Sequence, residues 1–110
     1  MKAIHHNNQL VAFARGSEIR LSPDLVALEP HHPQRRWAVA LAIFACKVDC
    51  GQHAGPYTDA RASQHARDLL LPTHAFAPLA FLSDRSLARR FAVPAEQIAA
   101  RRSELGLVWN

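Results

Sequence analysis

The stretch from Gln34 to Asp49, QRRWAVALAIFACKVD, constrains the fold more than any other part of the chain. It follows Pro33 and contains no breaker. Trp37, Leu41, Phe44 and Val48 recur at three- and four-residue spacing, and Ala38, Ala40, Ala42 and Ala45 fill the other faces. The pattern predicts a helix that is apolar on most sides and therefore buried at the centre of the fold. Its apolar run, Trp37 to Cys46, is about half the ~20 residues needed to span a bilayer, so no membrane role is expected.

The flanking segments predict what packs on that helix. Gln9 to Ala14 and Glu18 to Leu21 read as two strands around Arg15-Gly16-Ser17, where Gly16 can supply a positive φ. Ser22-Pro23-Asp24 ends the second strand, since proline cannot continue the ladder. After Gly51 and Gly55-Pro56, Thr58 or Asp59 caps a second helix that stops at Pro72. Pro72 to Leu82 is an apolar connector. Ser83-Asp84 caps a helix from Arg85 to Phe91, and Pro94 opens another that Gly106 ends. The expected fold class is α+β: a short antiparallel hairpin packed on a mostly helical body, finished by a C-terminal helical pair. With 110 residues the chain is one domain, 1–110, built on a single core.

Composition narrows the function classes. Two cysteines are too few for a disulfide framework, and MKAIHHNNQL has no apolar signal segment, so a cytoplasmic protein is expected. The net charge of +4 comes almost entirely from arginine, because Lys2 and Lys47 are the only lysines. Alone it does not establish a nucleic-acid site. The carboxylates are scattered and form no acid/base dyad, and four glycines build no phosphate loop.

Order and spacing of these segments resemble the ImmA/IrrE-type metallopeptidase family. The run Gln34 to Ala45 resembles the family's active-site helix, which reads R-R/F-W/F-A/T-L-A-H-E-L-G-H. Ile19-Arg20-Leu21 stands where the family has a short I-x-L strand. Leu69-Leu-Leu-Pro72 matches a helix ending in L-L-M-P, and Leu87-Ala-Arg-Arg-Phe-Ala-Val-Pro94 matches L-A-x-x-F-x-V-S. Arg101 to Gly106 completes a likeness that covers residues 9 to 107. It implies a zincin-like core, in which H-E-x-x-H supplies two zinc-binding histidines and a water-activating glutamate.

The departure from that motif decides the expected chemistry. Aligned on Arg36-Trp37, the first histidine falls on Leu41, the glutamate on Ala42 and the second histidine on Ala45. The family's third ligand, a glutamate near the start of the next helix, meets Ala60 and Ala62. A shifted alignment does not restore the site, since none of the seven histidines lies four residues from another. Without metal, water keeps its ordinary pKa, and without the glutamate nothing takes its proton. The resemblance therefore implies a pseudo-peptidase with no cofactor, which binds a protein partner without cutting it.

Because active members of the family act on helix-turn-helix repressors in phage, mobile-element or stress settings, the implied role is that of a regulator or inhibitor. Its target would be a repressor, toxin or host-defence protein. The expected cleft lies between the hairpin edge and the central helix, at Ile19, Leu21, Trp37, Leu41 and Phe44. The chain also lacks a helical segment common at the family's N-terminus, so a homodimer or obligate partner would cover apolar surface.

Two other classes stay open. Residues 83–106 have helix-turn-helix length, and a DNA reader would offer Gln97, Arg101 and Arg102 to a groove, with Arg89 and Arg90 on phosphates. Against this, the same apolar positions would simply pack on the domain. Cys46, Cys50 and His53 form C-x3-C-x2-H at the end of the central helix, a candidate relocated zinc site that lacks a fourth neighbouring ligand.

Overall fold

A computed structural model describes residues 1–107, so the last three residues of the expected domain lie outside the described part. The fold is α+β. Three antiparallel strands, β1 (Lys2–His6), β2 (Gln9–Arg15) and β3 (Glu18–Leu21), form one sheet in the order β1-β2-β3. Helices α1 (Pro23–Val26), α2 (Pro33–Asp49), α3 (Asp59–Leu70), α4 (Thr73–Phe76), α5 (Asp84–Phe91) and α6 (Ala95–Glu104) follow, with a single 3-10 turn at Ala77–Leu79. Among the described residues no helix is long and apolar enough to cross a membrane.

Local chemistry explains most of these boundaries. At the start of α2, Pro33 takes the first turn and the His32 ring accepts from the Gln34 N–H at 3.2 Å. Thr58 caps α3 by accepting from the Arg61 N–H at 3.1 Å, and Ser83 caps α5 from the Ser86 N–H at the same distance. Gly106, at φ +68°, follows α6 in the left-handed conformation that ends a helix.

β1 corrects the expectation of a two-stranded hairpin. Asn7 and Asn8 both take positive φ, 52° and 63°, and so form a two-residue turn whose twist matches the strands it joins. The added strand contributes Ile4, which is fully buried against β2 and α2. The short helices α1 and α4 also lie in segments expected to be connectors.

Two apolar clusters hold the chain. The first joins Ile4, Ala12 and Ala14 of the sheet to Trp37, Leu41, Phe44 and the alanines of α2, and to Ala62 and Ala66 of α3. The second joins Leu71 and Phe76 to Leu87 of α5, to Val93 in the turn after it and to Ile98 of α6. Arg36 links them, because its guanidinium donates to the carbonyls of Phe91 and Ala92 at the end of α5. There Ala92 sits at φ +52°, an unusual conformation for a residue with a Cβ, and that carbonyl contact helps to hold it.

If β1 is integral to the core, Ile4→Ala should cost about 2–5 kcal/mol of folding stability, the range for buried Ile to Ala. Denaturant unfolding of the variant measures it. A loss near zero would mean that β1 is only laid against the fold.

Candidate functional site

The face of α2 that carries Trp37, Leu41 and Phe44 forms the floor of the candidate site. These residues recur at i, i+4 and i+7 and thus share one side of the helix. The expectation that they line an open cleft against the hairpin edge needs correction. Trp37, Leu41 and Phe44 are 1–2% exposed, and Ile19 and Leu21 of β3 pack against the same cluster. Helix α2 closes onto β3, so apolar burial fills the space assigned to a cleft. Leu41, Ala42 and Ala45, where the resemblance places the metal-site residues, are all buried.

The open cavity lies one step away. A space of about 610 Å³ is bounded by the β1–β2 turn, the start of β2, α1 and the first turns of α2. Its apolar wall includes Leu10, Leu25, Leu28 and Trp37, and its polar wall includes Gln9, Ser22 and Gln34. Such a volume lies within the usual range for ligand sites, about 300–1,000 Å³. Two polar atoms at its margin are buried without a partner among the described residues: the Nε1 of Trp37 and the Nε2 of His6. Their rings lie 6.0 Å apart. A buried donor left unpaired costs about 1–3 kcal/mol, so an acceptor for the Trp37 N–H would be a gain.

On the other side of His6 lies a second cavity of about 350 Å³, lined by His5, Asn8, Leu41, Tyr57 and Asp59 among others. The Tyr57 hydroxyl is likewise buried and unpaired. Burial, with the Asp59 carboxylate nearby, pushes its phenol up to about 12, so it stays protonated at neutral pH.

Cys46, Cys50 and His53 do not converge. The Cys46 thiol is half-buried and weakly donates to the Glu18 carbonyl at 3.8 Å, whereas Cys50 is exposed at the end of α2. Burial, Cys50 and Asp49 together raise the Cys46 pKa, which makes its thiolate harder to form. His53 turns instead onto the Phe44 ring at 5.4 Å and the His65 ring at 5.3 Å. Among the described residues no three His, Cys, Asp or Glu side chains are arranged to hold a metal ion. The relocated zinc site expected from C-x3-C-x2-H is thereby corrected: one helical turn brings the thiols onto one side, but their burial differs and the histidine belongs to another cluster.

The nucleic-acid set divides. Arg89 and Arg90 are exposed at the end of α5, but Gln97, Arg101 and Arg102 are buried at 6%, 4% and 9% exposure. Arg101 donates to the Leu71 carbonyl at 2.9 Å and pairs with Asp68 at 2.8 Å. Arg102 donates to Asp84 at 2.7 Å and to the carbonyls of Ala80 and Leu82 at 2.6 and 2.5 Å. Gln97 accepts from Arg67 at 3.1 Å. These three side chains fasten α6 to α3, α5 and the connector, so they cannot reach base edges in a groove; this corrects the groove-reading expectation.

His6 and the β1–β2 turn were not among the site residues read from the sequence. Asn7-Asn8 is a turn signal that could have found the turn; nothing local signals that His6 lies beside Trp37. Comparisons with protein-family models, with curated proteins and with solved structures each returned no match.

The second histidine cluster predicts a pH dependence. Lys47 and His65 are 3.2 Å apart, and burial, Lys47 and His53 lower the His65 pKa from its ordinary value. The folded state therefore favours neutral His65. Its share of stability is complete above the unfolded value of about 6.5 and is lost as pH falls from there toward the lower folded value. His65→Gln should make the decline in unfolding midpoint below pH 6.5 shallower than in the wild type. Parallel slopes for the two proteins would refute it.

Proposed function

We propose that this chain is an ImmA/IrrE-like protein with a zincin-like core that acts by binding a protein partner rather than by hydrolysing one. What carries the reading is the contrast along one face of α2. At Leu41, Ala42 and Ala45 the helix is apolar and packed into the core, so these positions offer neither a metal ligand nor a base for water. One turn earlier, the same helix contributes Trp37 and Ala38 to an open cavity with unpaired polar atoms, which suits recognition.

The supporting architecture is a small antiparallel sheet on a long buried helix, with a second capped helix after it. The partner is a regulatory target such as a repressor, toxin or host-defence protein, as the resemblance implies. It docks over the β1–β2 turn and α1, and no cofactor takes part. A homodimer through this surface is the competing occupant.

The test has two arms. Tag-free protein should carry less than about a tenth of an equivalent of zinc, as follows from absent ligands; near one equivalent, abolished by Cys46→Ser, would overturn the pseudo-enzyme reading. Immobilised wild type should retain a protein from its native host that Leu10→Arg does not, Leu10 being 40% exposed at the cavity and so replaceable without disturbing the core. Equal retention by both would place the binding surface elsewhere.

A further inference from the structure

We propose that the occupant of the 610 Å³ cavity is an extended stretch of polypeptide carrying a basic side chain, bound through its main chain beside the start of β2. This rests on the docking role above and specifies its chemistry.

The first observation is a gap in the sheet. β2 runs from Gln9 to Arg15, but β3 pairs only with Ala12 to Arg15. The Ser22 N–H reaches the Val11 carbonyl at 2.9 Å, and there the β3 side ends. Gln9 and Leu10 pair with His6 and His5 of β1 and, among the described residues, have no strand on their other side. An unpaired length of strand is the element to which extended peptides add, since main-chain groups on both sides match whatever the sequence. This length is exposed and borders the cavity that α1 and the β1–β2 turn also line.

The second observation is the indole of Trp37. It is 1% exposed, it contributes to the lining, and its Nε1 has no protein partner. Indole N–H only donates, so the missing partner is an acceptor. A peptide carbonyl is such an acceptor once the indole edge turns toward the cavity, and the amides of Gln9 and Gln34 on the polar wall both donate and accept. A purely apolar ligand would leave the indole unpaired.

Charge supplies the third. Apart from histidine, Asp24 is the one ionisable side chain in the lining, and no ion pair engages it among the described residues. Asp24 is thus the one carboxylate in the lining, and the nearby Arg35 guanidinium is engaged by the carbonyls of Val26 and Leu28. A lysine or arginine of the incoming segment placed beside Asp24 completes the match, while an acidic residue there is excluded.

The test is selection of linear decapeptides displayed on phage against the full chain. Peptides that bind should share a lysine or arginine at one position. Their affinity should fall about tenfold for Trp37→Phe, which keeps a ring and removes the donor, in line with one lost hydrogen bond in a buried site. Asp24→Asn, at an exposed position, should weaken the same peptides and flatten their salt dependence. If Trp37→Phe proves unstable by thermal melting, Asp24→Asn and Leu10→Arg decide alone. Recovery of no binding peptide, or of peptides indifferent to Asp24→Asn and Leu10→Arg, overturns the main-chain mode. Should a host protein then still be retained by wild type and lost with Leu10→Arg, the docking role survives and only its chemistry was misassigned. If retention is also indifferent to Leu10→Arg, both fall.

Discussion

Close approach through alanine sets the geometry of this protein. Along α2, Ala40, Ala42 and Ala45 are almost fully buried, and they meet Ala12 and Ala14 of β2 and Ala62 and Ala66 of α3 in one cluster. Methyl-sized side chains let backbones come near, and a dense interior leaves little room for anything larger. That packing has a chemical consequence. A histidine or glutamate at Ala42 or Ala45 would have to displace a neighbouring element or remain buried without partners, at a cost typical of unpaired polar groups. The small side chains at these positions and the tightness of the helix contacts are thus two sides of one arrangement.

Arginine works mainly inside the fold. Arg36 ties α2 to the end of α5, and Arg67 makes a two-point contact with Glu104 at 2.8 and 2.9 Å. Arg101 and Arg102 extend these contacts to carbonyls of the connector, where a planar guanidinium can serve several acceptors at once. The second apolar cluster is small, and this network of charge-assisted bonds around it fixes how α5 and α6 sit. A net charge of +4 therefore describes a chain whose cations are partly consumed in holding it together, and the charge alone gives no footprint for a nucleic acid.

What could be read from the sequence followed from local chemistry. The helix over 34–49, the caps at Thr58 and Ser83 and the stop at Gly106 are decided by residues within a turn of each boundary, and they stand where expected. β1 escaped because Lys2-Ala-Ile-His-His6 has one strongly strand-forming residue, and its order comes from pairing with β2. α1 and α4 are four residues each, too short for periodicity to reveal. The cleft was misplaced for a related reason. Trp37, Leu41 and Phe44 were correctly placed on one helical face, but whether such a face is covered depends on how far β3 leans onto it. Likewise Arg89 and Arg102 are the same residue type in the same basic stretch, and only the tertiary fold sends one to solvent and the other into the core.

Buried polar atoms without a protein partner are distributed unevenly between the two halves of the described chain. The four buried side-chain atoms without a protein partner belong to His6, Trp37, Tyr57 and His65 among the described residues. His6 lies against Trp37, while Tyr57 and His65 lie 5.9 and 5.1 Å from Phe44. All four thus gather at the two ends of a single α2 face. The C-terminal half, by contrast, pairs Gln97, Arg101 and Arg102, its buried polar and charged residues, with carboxylates, carbonyls or another side chain. Folding alone would favour satisfying both halves equally, since each unpaired group opposes the native state. On the proposed docking role, the α2 face between β1 and α3, where such groups lie beside cavities, is where an incoming group would gain most from pairing them.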